Sequence, residues 1–157
     1  MRKAILITIL LSWVLSPLSS LEPTPRLSHT AKATLEIRFT GIRNNKGLIA
    51  IGINRSEDGW PREPHLEYNW VKGALSDGVF VAKVTGLPYG TYAVSVLDDE
   101  NSNLEMDMFM GIPKEGWGFS TNPPFKLSAP KFSECSLMID QPEIEISIDL
   151  RYAGKGR

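Results

Sequence analysis

The chain has 157 residues, of which 42% are hydrophobic and 22% charged, and its formal net charge is -1. This length accommodates one compact domain, and the composition is that of a globular protein. The near-neutral charge and the lack of a basic stripe exclude the electrostatic pattern of a nucleic-acid-binding protein.

The first twenty residues have the pattern of a secretory signal peptide. Arg2 and Lys3 give a basic start, an apolar run follows over residues 4–15, and Pro17 precedes the predicted end at residue 20. The apolar run is shorter than the roughly 20 residues that a membrane-spanning helix needs. We therefore expect an exported protein, periplasmic or extracellular, with no stable membrane insertion after signal removal; an uncleaved anchor is the alternative.

The remaining chain divides into a flexible lead-in over residues 21–33, one domain over residues 34–152 and a short basic tail over residues 153–157. The one cysteine, Cys135, excludes an internal disulfide bond, so the domain depends on its core. Because Cys135 lies beside apolar residues, we expect a buried, unreactive thiol.

Alternating apolar residues predict strands through most of the domain. Residues 34–53 form a hairpin that turns at residues 43–47, and residues 78–85 form a further strand. Gly86, Pro88 and Gly90 then predict a tight structural turn, after which residues 91–97 form the most β-prone run.

Two stretches lack this alternation. Residues 56–71 are interpreted as an irregular excursion with one helical turn, and residues 98–124 as a long polar loop. The final predicted strand covers residues 143–152, in which Ile144, Ile146, Ile148 and Leu150 face inwards. About seven short strands with little helix signal predict an all-β fold, a single antiparallel β-sandwich.

The start of the long loop is rich in oxygen ligands. Asp99, Asn101, Asn103 and Asp107 have the spacing D-x-N-x-N-x-x-x-D of the first part of an EF-hand-like calcium loop. Glu105 would offer its backbone carbonyl. Calcium prefers several hard oxygens, and alternating side chains of a coiled loop can point at one centre. We therefore predict that these oxygens turn towards a common point.

Two departures weaken this calcium prediction. Leu104 stands where such loops have glycine, and Met110 stands where they have a bidentate glutamate. The expected affinity is therefore weak, with a dissociation constant of about 10⁻⁴ to 10⁻³ M. The alternative is a polar turn in which Asn and Asp side chains bond to their own backbone.

The second half of the loop, MGIPKEGWGFSTNPPF, places Trp117 and Phe119 between glycines. A loop of this length is usually functional or disordered, and its aromatic residues favour function. We predict that Trp117 and Phe119 face a ligand or are held against the core.

The segment GLPYGTYAVSVLDDENSNLEMDMFMGIPKEGWGFS resembles the signature block of the bacterial domain of unknown function 2141 family, and the resemblance extends over residues 35–152. The matching residues are Gly86, Leu87, Pro88, Gly90, Tyr92, Ala93, Asp99, Glu100, Asn101, Asn103, Asp107, Gly111, Pro113, Glu115, Gly116, Gly118, Phe119 and Ser120. Leu104 departs from the family pattern, which has glycine there. The resemblance implies a small exported transthyretin-like or immunoglobulin-like sandwich, similar at its turn to carboxypeptidase-regulatory domains, and it implies no activity.

Three functions remain open. The first is a non-catalytic binding or structural module with an unknown protein or glycan as partner and calcium as its one candidate cofactor. The second is a glycan-binding module that uses exposed Trp60, Trp70 and Trp117, although tryptophan is more often a core residue. The third is a small hydrolase that uses paired carboxylates such as Asp98 and Asp107. No common catalytic motif supports an enzyme, so we expect the first.

Overall fold

The structure, a computed structural model, describes residues 31–124 and 128–154, and almost all of the regular secondary structure within them is β-strand. The predicted all-β class is therefore confirmed. The signal peptide, residues 21–30 of the lead-in and residues 155–157 of the tail lie outside the described residues. The strands are β1 (Lys32–Thr40), β2 (Leu48–Asn54), β3 (Leu66–Val71), β4 (Phe80–Pro88), β5 (Gly90–Asp99), β6 (Met108–Phe109), β7 (Ile112–Pro113), β8 (Gly116–Phe119), β9 (Ser136–Ile139) and β10 (Glu143–Asp149), with one short helix, α1 (Phe132–Cys135), before β9.

The strands form two larger sheets and one small hairpin. The first sheet has the order β10-β1-β4, the second has the order β3-β2-β5-β8 with β9 also paired to β5, and β6 pairs with β7. Every pair is antiparallel except β1 and β10, which are parallel. The parallel pair departs from the predicted antiparallel arrangement. Because β9 lies in the second sheet, the chain changes sheets before β10. The direction of β10 is therefore not set by a hairpin turn from a neighbouring strand.

The inner faces of the two larger sheets share one hydrophobic core. Alternate residues of β1 and β2 are buried, and β4, β5, β9 and β10 contribute to the same cluster. Of the four residues predicted to face inwards on β10 and beyond, Ile148 and Leu150 are buried and Ile144 and Ile146 are partly buried against the core. Among the described residues, no helix has the length and apolar character needed to cross a membrane.

The predicted turn at Gly86, Pro88 and Gly90 is where the chain passes from the first sheet to the second. Gly86 lies at a register shift between β1 and β4 and has a φ of 78°, a left-handed conformation that suits glycine in a bulge. The buried Tyr92 hydroxyl donates a hydrogen bond of 2.6 Å to the carbonyl of Pro88. This bond fixes the crossover against the start of β5.

The prediction of irregular chain or loop was wrong at four strands. β3 lies within the stretch interpreted as irregular, and β6, β7 and β8 lie within the predicted loop. β8 escapes detection because its inward positions are Gly116 and Gly118. A Cβ atom at Gly116 would lie 2.5 Å from the Tyr152 ring, and one at Gly118 would lie 2.6 Å from Ile148, so larger side chains have no room there.

Replacing Tyr92 with phenylalanine should destabilise the domain by about 1 kcal/mol, because the half-buried carbonyl of Pro88 would lose this donor while ring packing is retained. Urea unfolding of the two proteins measures this difference. The control is Tyr89→Phe on the same crossover, where the observed contact is made by the backbone N–H. Equal stability of Tyr92→Phe and wild type would contradict the assigned role.

Candidate functional site

The acidic loop begins where β5 ends, and its first two carboxylates point into the protein. Asp98 and Asp99 are both fully buried. Asp98 pairs with the buried ammonium group of Lys72 and accepts a hydrogen bond from the Tyr152 hydroxyl. Its side chain is 0% exposed, so it lines no open cleft. A hydrolase that uses Asp98 and Asp107 as a carboxylate pair is not favoured by this placement.

The next side chains bond to the backbone of the loop itself. The Asp99 carboxylate accepts the N–H groups of Asn103 (3.2 Å) and Leu104 (2.7 Å). The Oδ1 atoms of Asn101 and Asn103 each accept the N–H group two residues further along the chain, at 3.1 and 2.9 Å. These are the self-bonded turns expected of Asx residues.

Asp107 completes the loop from the other side. Its carboxylate accepts the side-chain amide groups of Asn101 (3.0 Å) and Asn103 (3.3 Å), so nitrogen rather than oxygen faces it. The Glu105 side chain is exposed, and the described residues contain no group of three or more His, Cys, Asp or Glu residues that could hold a metal ion. As arranged, backbone N–H groups of the loop engage the oxygens of Asp99, Asn101 and Asn103, and side-chain amides engage Asp107.

Glu115 ties both ends of the acidic loop to the approach to β8. This carboxylate is 3% exposed, and it accepts the backbone N–H groups of Glu100 (2.9 Å) and Asp107 (3.1 Å). Glu115 matches the family motif, but the motif indicates no role for it. In the sequence, the one weak indication that Glu115 is a buried acceptor is the glycine that follows it, which lies against Tyr152. No feature of the sequence predicts the burial of Lys72.

An ion pair on the outside of the loop adds to this network. Arg43 donates to both carboxylate oxygens of Glu100, and the side-chain amide of Asn44 donates to the same group at 2.9 Å. The hydrogen bond from Arg43 is the main reason why the pKa of Glu100 lies below its ordinary value of 4.5. Arg43 also donates to the carbonyl of Lys114 at 2.8 Å, so one side chain joins the turn after β1 to both ends of the loop.

A groove lies on the outer face of the second sheet. Its floor is formed by two cross-strand rows, one through Ala50, Leu97 and Trp117 and the other through Gly52, Ser95 and Phe119. The cavity has a volume of about 600 Å³. Small residues on β2 and β5 leave this space, and mainly apolar residues form its walls. The wall residues include Pro61, Pro64, Leu104, Met106, Met108, Ile112, Pro113, Pro124 and Pro130.

Trp117 and Phe119 therefore lie in the groove, on the one strand of the loop that pairs with β5. Trp60 contacts Phe119 with ring centroids 5.7 Å apart at 54°, and its indole N–H donates to the carbonyl of Pro130. Trp70 stacks on Tyr68, and both pack against the core on the opposite face of the sheet. The three indoles thus do not form one exposed row, which removes the arrangement that would favour glycan binding.

Cys135 is fully buried, as expected, and burial raises the pKa of its thiol to about 11. The thiolate is the reactive form of cysteine, so this group is unreactive near neutral pH.

By its fold and candidate site, this protein is an all-β domain with an acidic loop that bonds to its own backbone and an apolar groove on one sheet. The chain matches, over residues 37–147, the model of a family described as "Uncharacterized protein conserved in bacteria (DUF2141)", and it belongs to this family. The family resemblance found in the sequence is thereby confirmed. No curated protein and no solved structure matches the chain.

The low pKa of Glu100 predicts acid sensitivity. A carboxylate with a lowered pKa stabilises the folded state above its unfolded pKa, and this contribution is lost as the pH falls through the folded pKa. Glu100→Gln should therefore lose less stability than wild type between about pH 7 and about pH 3. Urea unfolding at both pH values measures the difference, and Glu105→Gln, at an exposed position, is the control. Identical pH dependence of wild type and Glu100→Gln would refute the prediction.

Proposed function

We propose that this protein is an exported, non-catalytic binding module that holds a small apolar molecule in the groove on its outer sheet face. The main support is the groove itself. Its volume of about 600 Å³ is within the range of roughly 300–1,000 Å³ that small-molecule sites have. Its lining is predominantly apolar with aromatic rings at the floor, as in such sites. The signal-peptide pattern of residues 1–20 supports export.

The wall next to the acidic loop supports a binding role. Leu104 and Met108 line the groove, and yet 56% and 54% of their surfaces are exposed. Leu104 also has a φ of 62°, a conformation that is disfavoured for leucine and suits glycine or asparagine better. Leucine at this position is thus exposed and in a conformation that it disfavours. Residues that contradict local preference in this way are often found at functional surfaces.

Binding of 8-anilinonaphthalene-1-sulfonate, followed by its fluorescence, tests the groove, with a long-chain fatty acid as competitor. Leu104→Asn should weaken probe binding by about tenfold, the effect of losing about 1.4 kcal/mol of apolar contact. Its thermal midpoint should equal or exceed that of wild type, because asparagine tolerates the left-handed conformation.

The matched control is Met138→Asn, at an apolar position of β9 that is 53% exposed and does not line the groove. It should bind the probe as wild type does. A wild-type protein that binds neither the probe nor the fatty acid would refute the proposal. Displacement of the probe by soluble oligosaccharides alone would favour the glycan-binding alternative instead.

We also propose weak calcium binding by the acidic loop, as a second and separate property. One observation favours it: Leu104, the residue that departs from glycine, has a left-handed φ and so makes the turn that glycine usually supplies. Binding would require Asn101 and Asn103 to release Asp107 and turn their amide oxygens towards the ion.

Thermal unfolding with millimolar calcium, and then with chelator, tests this property. Calcium at ten times its dissociation constant should add about 1.4 kcal/mol of stability to the folded state. Asp107→Asn should abolish the shift, whereas Asp140→Asn, an exposed carboxylate elsewhere, should retain it. If calcium leaves the wild-type midpoint unchanged, the loop is a polar turn only.

A further inference from the structure

The buried pair of Lys72 and Asp98 joins two strands that are not neighbours in the second sheet. Lys72 directly follows β3 at the edge of this sheet, Asp98 lies on β5, and β2 lies between them. Both side chains are 0% exposed, and Nζ of Lys72 is in direct contact with Oδ1 of Asp98. The two reacting groups of an amide bond are thus held against each other away from solvent.

The lysine is poorly satisfied as an ammonium ion. An ammonium group has three N–H donors, and a buried charge is tolerated when its hydrogen bonds are made as well as its ion pair. Among the residues that the structure describes, Asp98 is the acceptor found for Nζ. A secondary amide has a single N–H group and no charge, so conversion of the pair removes two donors and two buried charges.

We propose that Lys72 and Asp98 form an intramolecular isopeptide bond between Nζ and Cγ. A proton first moves from the ammonium group to the carboxylate, which leaves a neutral amine and a carboxylic acid. Nζ then attacks Cγ, the C–N bond forms, and the C–Oδ1 bond breaks. Oδ1 leaves as water with that proton and a second one from Nζ, so the reaction needs no external reactant.

Tyr152 is placed to assist this reaction. Its hydroxyl donates to Oδ2 of Asp98, where negative charge develops when Nζ attacks, and it accepts the backbone N–H of Arg43 at 3.2 Å. Burial and the hydrogen bond to Asp98 raise the pKa of Tyr152, so the phenol keeps its proton and remains a donor. The guanidinium group of Arg43 lies 4.5 Å from the centre of its ring, and Gly116 leaves the space that the ring occupies.

The bond would close a covalent loop over residues 72–98 and attach the edge strand β3 to the central strand β5. An exposed edge strand is the part of a sheet that most readily detaches or pairs with other chains. A covalent link to β5 would hold this edge of the groove in place without a disulfide bond, which suits a chain with one cysteine. The inference is independent of what the groove binds.

Mass spectrometry of the denatured, purified full chain tests the proposal. The expected wild-type mass is that of its sequence minus one water molecule, and a protease digest should give a branched peptide that joins the segments around Lys72 and Asp98. Lys72→Met should have the full mass of its sequence. Asp98→Asn should lose ammonia in place of water, because the same attack on a carboxamide releases that group.

Tyr152→Phe tests the assisting role. Both Tyr152→Phe and the control Tyr89→Phe, whose tyrosine does not contact the pair, are recovered unfolded from inclusion bodies, before the bond has formed. On folding, Tyr152→Phe should acquire the bond at least tenfold more slowly than Tyr89→Phe. A wild-type protein with the full mass of its sequence would overturn the proposal, whatever the variants do. A water deficit that persists in Lys72→Met would overturn the assignment to this lysine.

Discussion

The burial of the Asp98 carboxylate between the two larger sheets is the constraint on which much of this structure depends. A carboxylate without partners is expensive to remove from water, so the surrounding chain has to supply donors. Lys72 and Tyr152 supply them from two different regions, one after β3 and one after β10. Removing one partner of such a buried pair typically costs about 3–5 kcal/mol, because the other charge is left uncompensated.

The same requirement extends outwards from Asp98. Tyr152 reaches the carboxylate only because Gly116 has no side chain, and this explains a glycine at an inward position of β8. Arg43 packs over the ring of Tyr152, the hydrogen-bond partner of Asp98. The same arginine forms an ion pair with Glu100, which is two residues after Asp98. The turn after β1, the acidic loop and the segment after β10 are therefore connected through one set of contacts.

The carboxylates of the acidic loop mainly organise the chain. Asp99 and Glu115 are buried acceptors, and each accepts two backbone N–H groups of the loop. Glu100 forms an ion pair and Asp107 accepts two side-chain amides. A cluster of acids that looks like a metal site in sequence can thus be needed simply to order a loop, because carboxylates accept several hydrogen bonds at once.

Alternation in the sequence predicts the strands whose one face is apolar, such as β1, β2, β4, β5 and β10. It cannot predict β8, whose inward residues are glycines selected by the bulk of Tyr152 and Ile148 at distant positions in the chain. The sequence could not predict that Lys72 and Glu115 are buried either, because a lone charged residue is normally a surface residue. Local pattern reports which face of a strand is apolar, whereas contacts between distant segments determine where a charge can be buried.

The hairpin of β6 and β7 shows a conflict between local preference and sequence that bears on function. Its two-residue turn, Met110 and Gly111, has φ values of 50° and 80°, which favour Asn-Gly rather than Met-Gly. Met110 is nevertheless 87% exposed, and the neighbouring Phe109 is 66% exposed. An exposed methionine at a strained position contributes nothing visible to the stability of this fold. Its exposure beside the groove supports the binding role proposed above, since flexible apolar side chains adapt well to a binding partner.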